Sequence, residues 1–534
     1  MTINNHWWRG AIFYQIYPRS FFDSNSDGIG DLNGITEKLA HVASLGVDAI
    51  WISPINKSPM KDFGYDVSDY RDVDPIFGVN KDFDVLLNKA HELGLKVIMD
   101  LVLSHTSDKH PWFTESRDSK DNEKSDWYVW ADARADGTPP TNWQNAFGSA
   151  AWTFDTMRGQ YYLHNFLKEQ PDLNFHNEEV QAASINNMRY WLERGIDGFR
   201  LDVANYFFHD QELRDNPPRE EDGLGFVNSF EGPSPLNMQR QLYNKSRPEN
   251  LEFLSQIRAL MDEFPGTMTV GEVGDEDVFA LAADYTAGNN RLNTTYNTQI
   301  MGGVDRSLDA DFIKTPIEKY FSYEQAGWPS WAFSNHDTVR AVSRWGRHFP
   351  KEYQSAFAKM LIALLCSLKG TCFLYQGEEL GLKEANVPYD KFQDPWGIAM
   401  WPRWPGRDGC RTPLPWHLNH KHAGFSEADQ TWLPMPNEHH ELCIEAQEKD
   451  SNSVLNFTRA FLSWRKDQPA LIDGDIEFHD YPDQKVLSFT RYNEHQEILC
   501  IFNLGEDEKI VNLNNVENLR LQPFEAFFAS STDE

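Results

Sequence analysis

The sequence predicts an α/β protein: a (β/α)8 TIM barrel with an inserted subdomain after strand 3 and a C-terminal antiparallel β-sandwich. Three observations support this fold class. Short apolar, β-branched runs alternate with helix-like segments over about 450 residues. One connection is much longer than an ordinary loop. Near the C-terminus the pattern changes to short strands separated by turns.

The strand and helix units follow one another along the chain. The strand-like runs are "AIFYQIYP", "VDAIWISPI", "LKVIMDLVLSH", "IDGFRLDVA", "TMTVGEV", "WPSWAFSNHD" and "TCFLYQGEEL". Helical patterns such as "NKDFDVLLNKAHELG" and "EEVQAASINNMRYWLERG" lie between them. This alternation predicts a parallel sheet, and the number of units predicts a barrel whose active site lies at the C-terminal ends of the strands.

Two further regions complete the predicted domain organisation. Between "DLVLSH" and "NEEVQAASI" lie about 70 residues rich in Trp, Asp and Gly, which indicate an insertion. A helix, "SVLNFTRAFLSWRKD", leads into the strands "DIEFHDYP", "KVLSFTRY" and "EILCIFNL". The predicted division is 1–104 and 178–469 for the barrel, 105–177 for the inserted subdomain and 470–534 for the sandwich.

Composition and charge narrow the function. The formal net charge is −32 in 534 residues, which argues against nucleic acid or an anionic membrane as a partner. The five cysteines are scattered without a CxxC pair, as free thiols in a reducing compartment are. The N-terminus lacks an apolar signal core, and no apolar run reaches the length of a membrane span. We therefore expect a cytoplasmic monomer or homodimer that acts on small molecules.

The loop "DSNSDGIGD" begins like an EF-hand calcium loop. Its oxygens come from Asp23, Asn25, Asp27, the Ile29 carbonyl and Asp31, which are ligands that a hard cation prefers. Position 12 is a glycine, and the preceding segment is strand-like, so a calcium sensor is disfavoured. The residues leave two interpretations: a structural ion site after the first strand, or a turn without a metal.

Three strand ends each deliver a carboxylate: Asp202, Glu272 and Asp337. Residues i and i+2 of a strand share a face, so Arg200 is expected to point toward Asp202 and to favour its ionised form. A second carboxyl in a less polar setting can keep its proton and act as an acid. Such a pair serves glycoside hydrolysis, with a separation of about 5–5.5 Å in retaining enzymes.

Together these fragments carry a family resemblance. "DLVLSH", "GFRLDVA", "GEV" and "FSNHD" occur in order, with "QPDLN" near the end of the predicted insertion. On these motifs the sequence resembles glycoside hydrolase family 13, the α-amylase family, over essentially its whole length. "QPDLN", "KDFGYDVSDY" and "GRDGCRTPLPW" are similar to the α-glucosidase and oligo-1,6-glucosidase branch.

The resemblance implies catalytic roles. Asp202 is the expected nucleophile, Glu272 the general acid/base, and Asp337 a carboxylate that binds sugar hydroxyls. The substrate-binding residues expected around them are Asp62, Tyr65, His105, Phe147, Phe166, Gln170, Arg200, His336 and Arg407. An Asp62–Arg407 pair is expected to close the far end of the pocket, with Arg411 as the second candidate for the arginine. Phe147 is expected on the acceptor side.

The resemblance also implies a structural Ca2+ or Mg2+ in the loop after the first strand, with no organic cofactor. Two positions depart from the family pattern or vary within it. Ser104 stands where relatives usually carry Asn. Val203 follows the nucleophile, and in relatives Val there accompanies α-1,6 preference, but "GRDGCRTPLPW" is not the form most typical of oligo-1,6-glucosidases. Linkage preference therefore stays open.

The function predicted from these residues is an exo-acting, retaining α-glucosidase for small α-glucosides such as maltose, isomaltose or sucrose. Hydrolysis would pass through a covalent glucosyl-enzyme, and transglucosylation would compete with it. A sucrose isomerase or trehalose synthase shares the same motifs and remains an alternative. A non-catalytic protein like the ancillary subunits of amino-acid transporters is the alternative from another class.

Overall fold

A computed structural model describes residues 5–219, 236–302, 307–513 and 516–532. Eight parallel strands close into a barrel in which every strand pairs with its neighbours in sequence, so the predicted fold class is confirmed. The strands are β1 (Ile12–Ile16), β2 (Ala49–Ile52), β3 (Lys96–Leu101), β4 (Gly198–Leu201), β5 (Met268–Glu272), β6 (Thr294–Asn297), β7 (Ser330–Ala332) and β8 (Thr371–Tyr375).

Helices surround the barrel or support its loops. The longer ones are Leu32–Ser44, Asn80–Glu92, Pro111–Asp118, Glu178–Glu193, Asn250–Asp262, Val278–Thr286, Ala310–Phe321, Gln354–Ser367 and Val454–Lys466. Shorter ones are Ala341–Gly346, Pro395–Met400, Asn437–His440, Ile444–Lys449 and Pro469–Ile472. Their starts follow the sequence: Asp31, Asn177 and Ser453 each accept a backbone N–H bond as N-caps.

The barrel interior is filled with side chains rather than open. Phe13, Trp51, Ile98, Tyr296 and Phe373 belong to one buried cluster inside it. At the start of β4 only glycine fits. Gly198 has φ +154°, and a Cβ there would lie 2.1 Å from the carbonyl oxygen of Met268 on β5. This close approach brings β4 and β5, the strands that precede Asp202 and carry Glu272, tightly together.

The predicted insertion and C-terminal region contain antiparallel strands. Strands Trp130–Ala131, Trp152–Asp155 and Gln160–Leu163 form a three-stranded sheet. The C-terminal region has a four-stranded sheet of Asp475–His479, Val486–Tyr492, Gln496–Asn503 and Ala526–Thr532, and a two-stranded sheet of Lys509–Leu513 and Val516–Leu521. A small two-stranded sheet, Asn56–Lys57 with Asp69–Val73, follows β2. The exact domain boundaries stay predictions.

The cysteine prediction is confirmed, because all five are free and buried. Among the helices of the described ranges, none is both long and apolar enough to cross a membrane. The cytoplasmic location stays a prediction.

Candidate active site

A single guanidinium holds the two predicted reacting carboxyls. Arg200 Nη1 donates to Asp202 Oδ1 at 2.5 Å, and Arg200 Nη2 donates to Glu272 Oε2. Nη1 also donates to Asp100 Oδ1 at 2.8 Å. Arg200 lies on β4 two residues before Asp202, so the predicted shared face is confirmed. Adjacent nitrogens of one rigid fork place the two carboxyls side by side at the C-terminal end of the barrel.

Three neighbouring carboxyls surround the Arg200 guanidinium. Ionising all three costs free energy, because like charges repel and burial disfavours the charged form. Burial raises the pKa of Glu272 to about 7, against the opposing influence of Arg200. Burial also raises the pKa of Asp202 to about 7, with Arg200 again opposing it. The sequence predicts that Arg200 favours the ionised form of Asp202, but burial outweighs the guanidinium at both carboxyls.

The pKa of Asp337 is shifted in the opposite direction to those of Asp202 and Glu272. Burial would raise its pKa, but His336, Arg407 and Arg411 lower it well below the usual range. Arg411 Nη2 and Arg407 Nη1 bind Asp337 Oδ1 at 2.6 and 3.1 Å. Asp337 is therefore ionised throughout the neutral range and is suited to accept hydrogen bonds from sugar hydroxyls.

The predicted Asp62–Arg407 pair is present. Arg407 Nη2 lies 2.9 Å from Asp62 Oδ1 and 2.8 Å from Asp394 Oδ1. Gln170 Nε2 donates to Asp62 Oδ2 at 3.3 Å and lies 3.1 Å from His105 Nε2. Arg407 rather than Arg411 pairs with Asp62, which resolves the two sequence candidates.

One pocket collects most of the predicted substrate residues. Those that line it are Asp62, Tyr65, His105, Phe147, Phe166, Gln170, Asp202, Glu272, Asp337 and Arg407. Arg200 and His336 are fully buried and do not contribute to this lining. His336 instead contacts Tyr65 Oη at 2.5 Å and Gln15 Nε2 at 2.8 Å, so it supports the wall from behind. Its direct contact with sugar stays a prediction.

Several site residues were missed by sequence reasoning. The additional lining residues are Ala146, Thr298, Met301, Asn335, Thr338 and Trp396, and Val203, which the sequence singled out, lines the pocket with them. Asp394 is fully buried, pairs with Arg407 and caps the short helix that carries Trp396. Trp396 packs edge-to-face against Phe147, with ring centroids 5.5 Å apart. The only signal in sequence was Asp before Pro, an N-cap pattern without functional meaning of its own.

Positions 104 and 203, which the sequence comparison with the family singled out, both contact residues of the site. Ser104 Oγ lies 2.8 Å from His105 Nδ1, so the hydroxyl occupies one ring nitrogen of His105. Val203 lines the pocket with φ +36°, an uncommon value for a β-branched residue. Its N–H approaches Glu272 Oε2 at 3.4 Å.

The loop at 23–31 winds around its own side-chain oxygens. Asp23 accepts backbone N–H bonds from Ser26 and Gly28, both at 2.7 Å, and Asp27 Oδ1 accepts from Ile29 at 2.9 Å. The all-oxygen donor set suits a hard cation. Asp31, in contrast, accepts from Gly34 as a helix cap. In the described ranges no three His, Cys, Asp or Glu side chains form a ready metal site, so the ion stays a prediction.

We propose a structural ion held chiefly by Asp23, Asn25 and Asp27, with a measurable effect on stability. Ca2+ at 100 times its dissociation constant should raise the free energy of unfolding by about 2.7 kcal/mol relative to chelator-treated protein. Asp27→Ala should abolish this difference. Asp136→Ala, in another exposed Asp turn, should keep it. Thermal unfolding with Ca2+, Mg2+ or chelator measures this difference. Equal stability in all three conditions would contradict the proposed ion site.

Known proteins resemble this chain over nearly its whole length. The family model described as the alpha amylase catalytic domain matches residues 15–474. A probable alpha-glucosidase of Rhizobium meliloti (strain 1021) is 51% identical over 520 residues, covering 97% of this chain and 92% of that protein. An oligo-1,6-glucosidase of Heyndrickxia coagulans is 38% identical over 543 residues, covering 94% and 92%.

Solved structures share the whole architecture. The crystal structure of the alpha-glucosyl transfer enzyme XgtA superposes with a TM-score of 0.93 at 50% identity, covering 98% of this chain and 99% of that one. The trehalulose synthase MutB from Pseudomonas mesoacidophila MX-45 gives a TM-score of 0.87 at 29% identity, covering 98% and 99%. A protein named as a glucosyl transfer enzyme and one named as a trehalulose synthase thus share this fold at comparable chain lengths.

Proposed function

The chain belongs to the alpha-amylase family and is a glycoside hydrolase, and from this premise we propose an exo-acting, retaining α-glucosidase. Its substrates are small α-glucosides. The identity to proteins named as glucosidases along nearly the whole chain argues against the non-catalytic alternative. The observation that carries the proposal is the shared guanidinium of Arg200, which holds Asp202 and Glu272 together beside the pocket.

Asp202 and Glu272 have different roles in the two steps of the reaction. Asp202 attacks the anomeric carbon while Glu272 gives its proton to the leaving oxygen, and a glucosyl-enzyme forms. Glu272, now ionised, removes a proton from water, and the water oxygen displaces Asp202. Two displacements at one carbon return the α configuration. The raised pKa of Glu272 supports its role as acid in the first step.

The Asp62–Arg407–Asp394 network supports the exo mode. Both partners of the Asp62–Arg407 pair line the pocket, and all three side chains are buried. A glucan chain cannot pass through a wall made of a buried, multiply bonded arginine without breaking these bonds. Only a terminal glucose would then fit beyond the scissile bond.

Glucosyl transfer is the second candidate. The 50% identity to a named glucosyl transfer enzyme favours it, and the same covalent intermediate serves both reactions. A sugar or alcohol that reaches the intermediate before water would take the glucosyl group. The isomerase alternative has the weaker support of a 29% identical neighbour.

Product analysis tests the function. Maltose, isomaltose and sucrose are supplied separately, and the anomeric proton signals are followed by NMR from the first minutes. We expect α-glucose to appear before β-glucose from at least one substrate, because a double displacement retains configuration. β-Glucose first would contradict retention. Early trisaccharides or rearranged disaccharides would favour the transferase or isomerase, and no turnover of any substrate would reject the proposal.

A further inference from the structure

A tripeptide outside the predicted reacting set, Asn244–Lys245–Ser246, lies in the connection between β4 and the helix Asn250–Asp262. Lys245 is only 3% exposed and Asn244 1%. A lysine is rarely buried this deeply, because its ammonium loses hydration unless the protein replaces it. The bonds that replace this hydration lead to the active site.

The first of these bonds reaches the strand end that carries the acid/base. Lys245 Nζ donates to the carbonyl oxygen of Gly274 at 2.7 Å, and Ser246 Oγ donates to Asp275 Oδ2. Gly274 comes two residues after Glu272. A glycine has no side chain by which its position can be held, so neighbours restrain Gly274 through its backbone: the carbonyl accepts from Lys245, and the N–H donates to Asn205 Oδ1 at 3.4 Å.

The second set of bonds reaches the turn that follows the nucleophile Asp202. Ser246 N–H donates to the carbonyl oxygen of Asn205 at 2.6 Å. Asn205 Nδ2 donates to Ser246 Oγ at 2.8 Å and to the Gly274 carbonyl at 2.9 Å. The Gly274 carbonyl thus receives two donors, one from the tripeptide and one from the nucleophile turn.

A third contact reaches the wall contributed by the inserted region. Asn244 Nδ2 donates to Asn165 Oδ1 at 3.0 Å, directly before Phe166 in the pocket lining. The Lys245 ammonium also lies 5.2 Å from the ring centroid of Tyr206, which packs against Phe166 at 5.4 Å. The tripeptide therefore bonds to Gly274, Asn205 and Asn165, each of which lies one or two residues from a residue that lines the pocket.

We infer that residues 244–246 form a positioning clamp that sets Glu272 against Asp202 for protonation of the leaving group. This inference rests on the proposed function and adds to it a group that touches no substrate. The clamp acts through the Gly274 carbonyl and the Asn205 turn. Catalytic groups must be held within about 0.5 Å of their productive geometry, and side chains at strand ends need such support.

The test uses the leaving group as the readout. Lys245→Met removes the ammonium and keeps most of the side-chain volume. With maltose, whose leaving oxygen needs a proton, kcat/KM should fall about tenfold or more. With α-glucosyl fluoride, whose leaving group needs little protonation, kcat/KM should stay within about twofold of wild type. Because kcat/KM reports steps up to glucosylation, slow hydrolysis of the intermediate does not mask the contrast.

Controls separate this role from simple destabilisation. Lys485→Met removes another lysine that donates to a backbone carbonyl, that of Leu308, far from the pocket, and should leave both substrates unaffected. Ser246→Ala should reproduce the contrast and replaces Lys245→Met if that variant does not fold. Equal losses on both substrates, or no loss on either, would overturn the clamp. A wild-type protein that turns over neither substrate would overturn the proposed function and the clamp with it.

Discussion

Asp202→Asn is expected to lower kcat on maltose by about 10⁴-fold or more, because the amide cannot form the glucosyl ester. Wild-type enzyme treated with 5-fluoro-α-glucosyl fluoride should gain one fluoroglucosyl group, and peptide mapping should place it on Asp202. The variant should remain unlabelled. Asp429→Asn, at a fully exposed aspartate, is the matched control and should behave as wild type. Labelling of another residue in the wild type would reject Asp202 as nucleophile.

The same variant should be at least as stable as wild type, and the difference should depend on pH. The folded pKa of Asp202 is about 7, and the unfolded value is about 3.9. Stability from this group is full below the unfolded value and is lost as pH rises through the folded value. Asparagine does not titrate, so the advantage of Asp202→Asn should be larger at pH 8 than at pH 5. Thermal unfolding at both pH values measures it.

Glu272→Gln is expected to lower kcat/KM on maltose by about 10²- to 10⁴-fold, the usual contribution of a general acid. The loss on α-glucosyl fluoride should be much smaller. Added azide should restore turnover of that substrate and give α-glucosyl azide, because the anion attacks the glucosyl-enzyme without a general base. Glu37→Gln, at an exposed glutamate, is the control.

The pH dependence of wild-type activity should report the titration of Glu272. Glu272 must be protonated to act as acid, and burial raises its pKa to about 7. Therefore kcat/KM on maltose should decline as pH rises through about 7, with the apparent value belonging to the coupled carboxyls. The residual activity of Glu272→Gln should lack this decline. A profile that stays flat to pH 9 in the wild type would contradict the assignment.

Strand-end motifs allowed Asp202 and Glu272 to be located from sequence as candidate reacting carboxyls, because such motifs are local. Asp202 follows Arg200 by two residues, and strand geometry alone placed both on one face. The Asp62–Arg407 pair spans 345 residues of sequence and was found only through the family resemblance. Its other partner, Asp394, belongs to no motif.

Two features could not be predicted because they depend on tertiary contacts. Burial raises the pKa of Asp202 despite its bond to Arg200, and Arg200 also binds Asp100, which comes from a strand about 100 residues earlier in sequence. The tripeptide at 244–246 has ordinary polar composition, and only its bonds to Asn205 and Gly274 distinguish it. The loop at 23–31 shows the converse. Its motif is clear in the sequence, and its ion stays a prediction.

The crowding of carboxyls around Arg200 has a consequence for the reaction itself. With Glu272 protonated, Asp100 and Asp202 together carry one more negative charge than the guanidinium balances. In the resting enzyme this unbalanced negative charge is buried, which costs free energy. As the glycosidic bond breaks, the sugar ring gains oxocarbenium character and becomes positive. We therefore expect these carboxylates, of which Asp202 lines the pocket, to stabilise the positive charge that develops in the transition state.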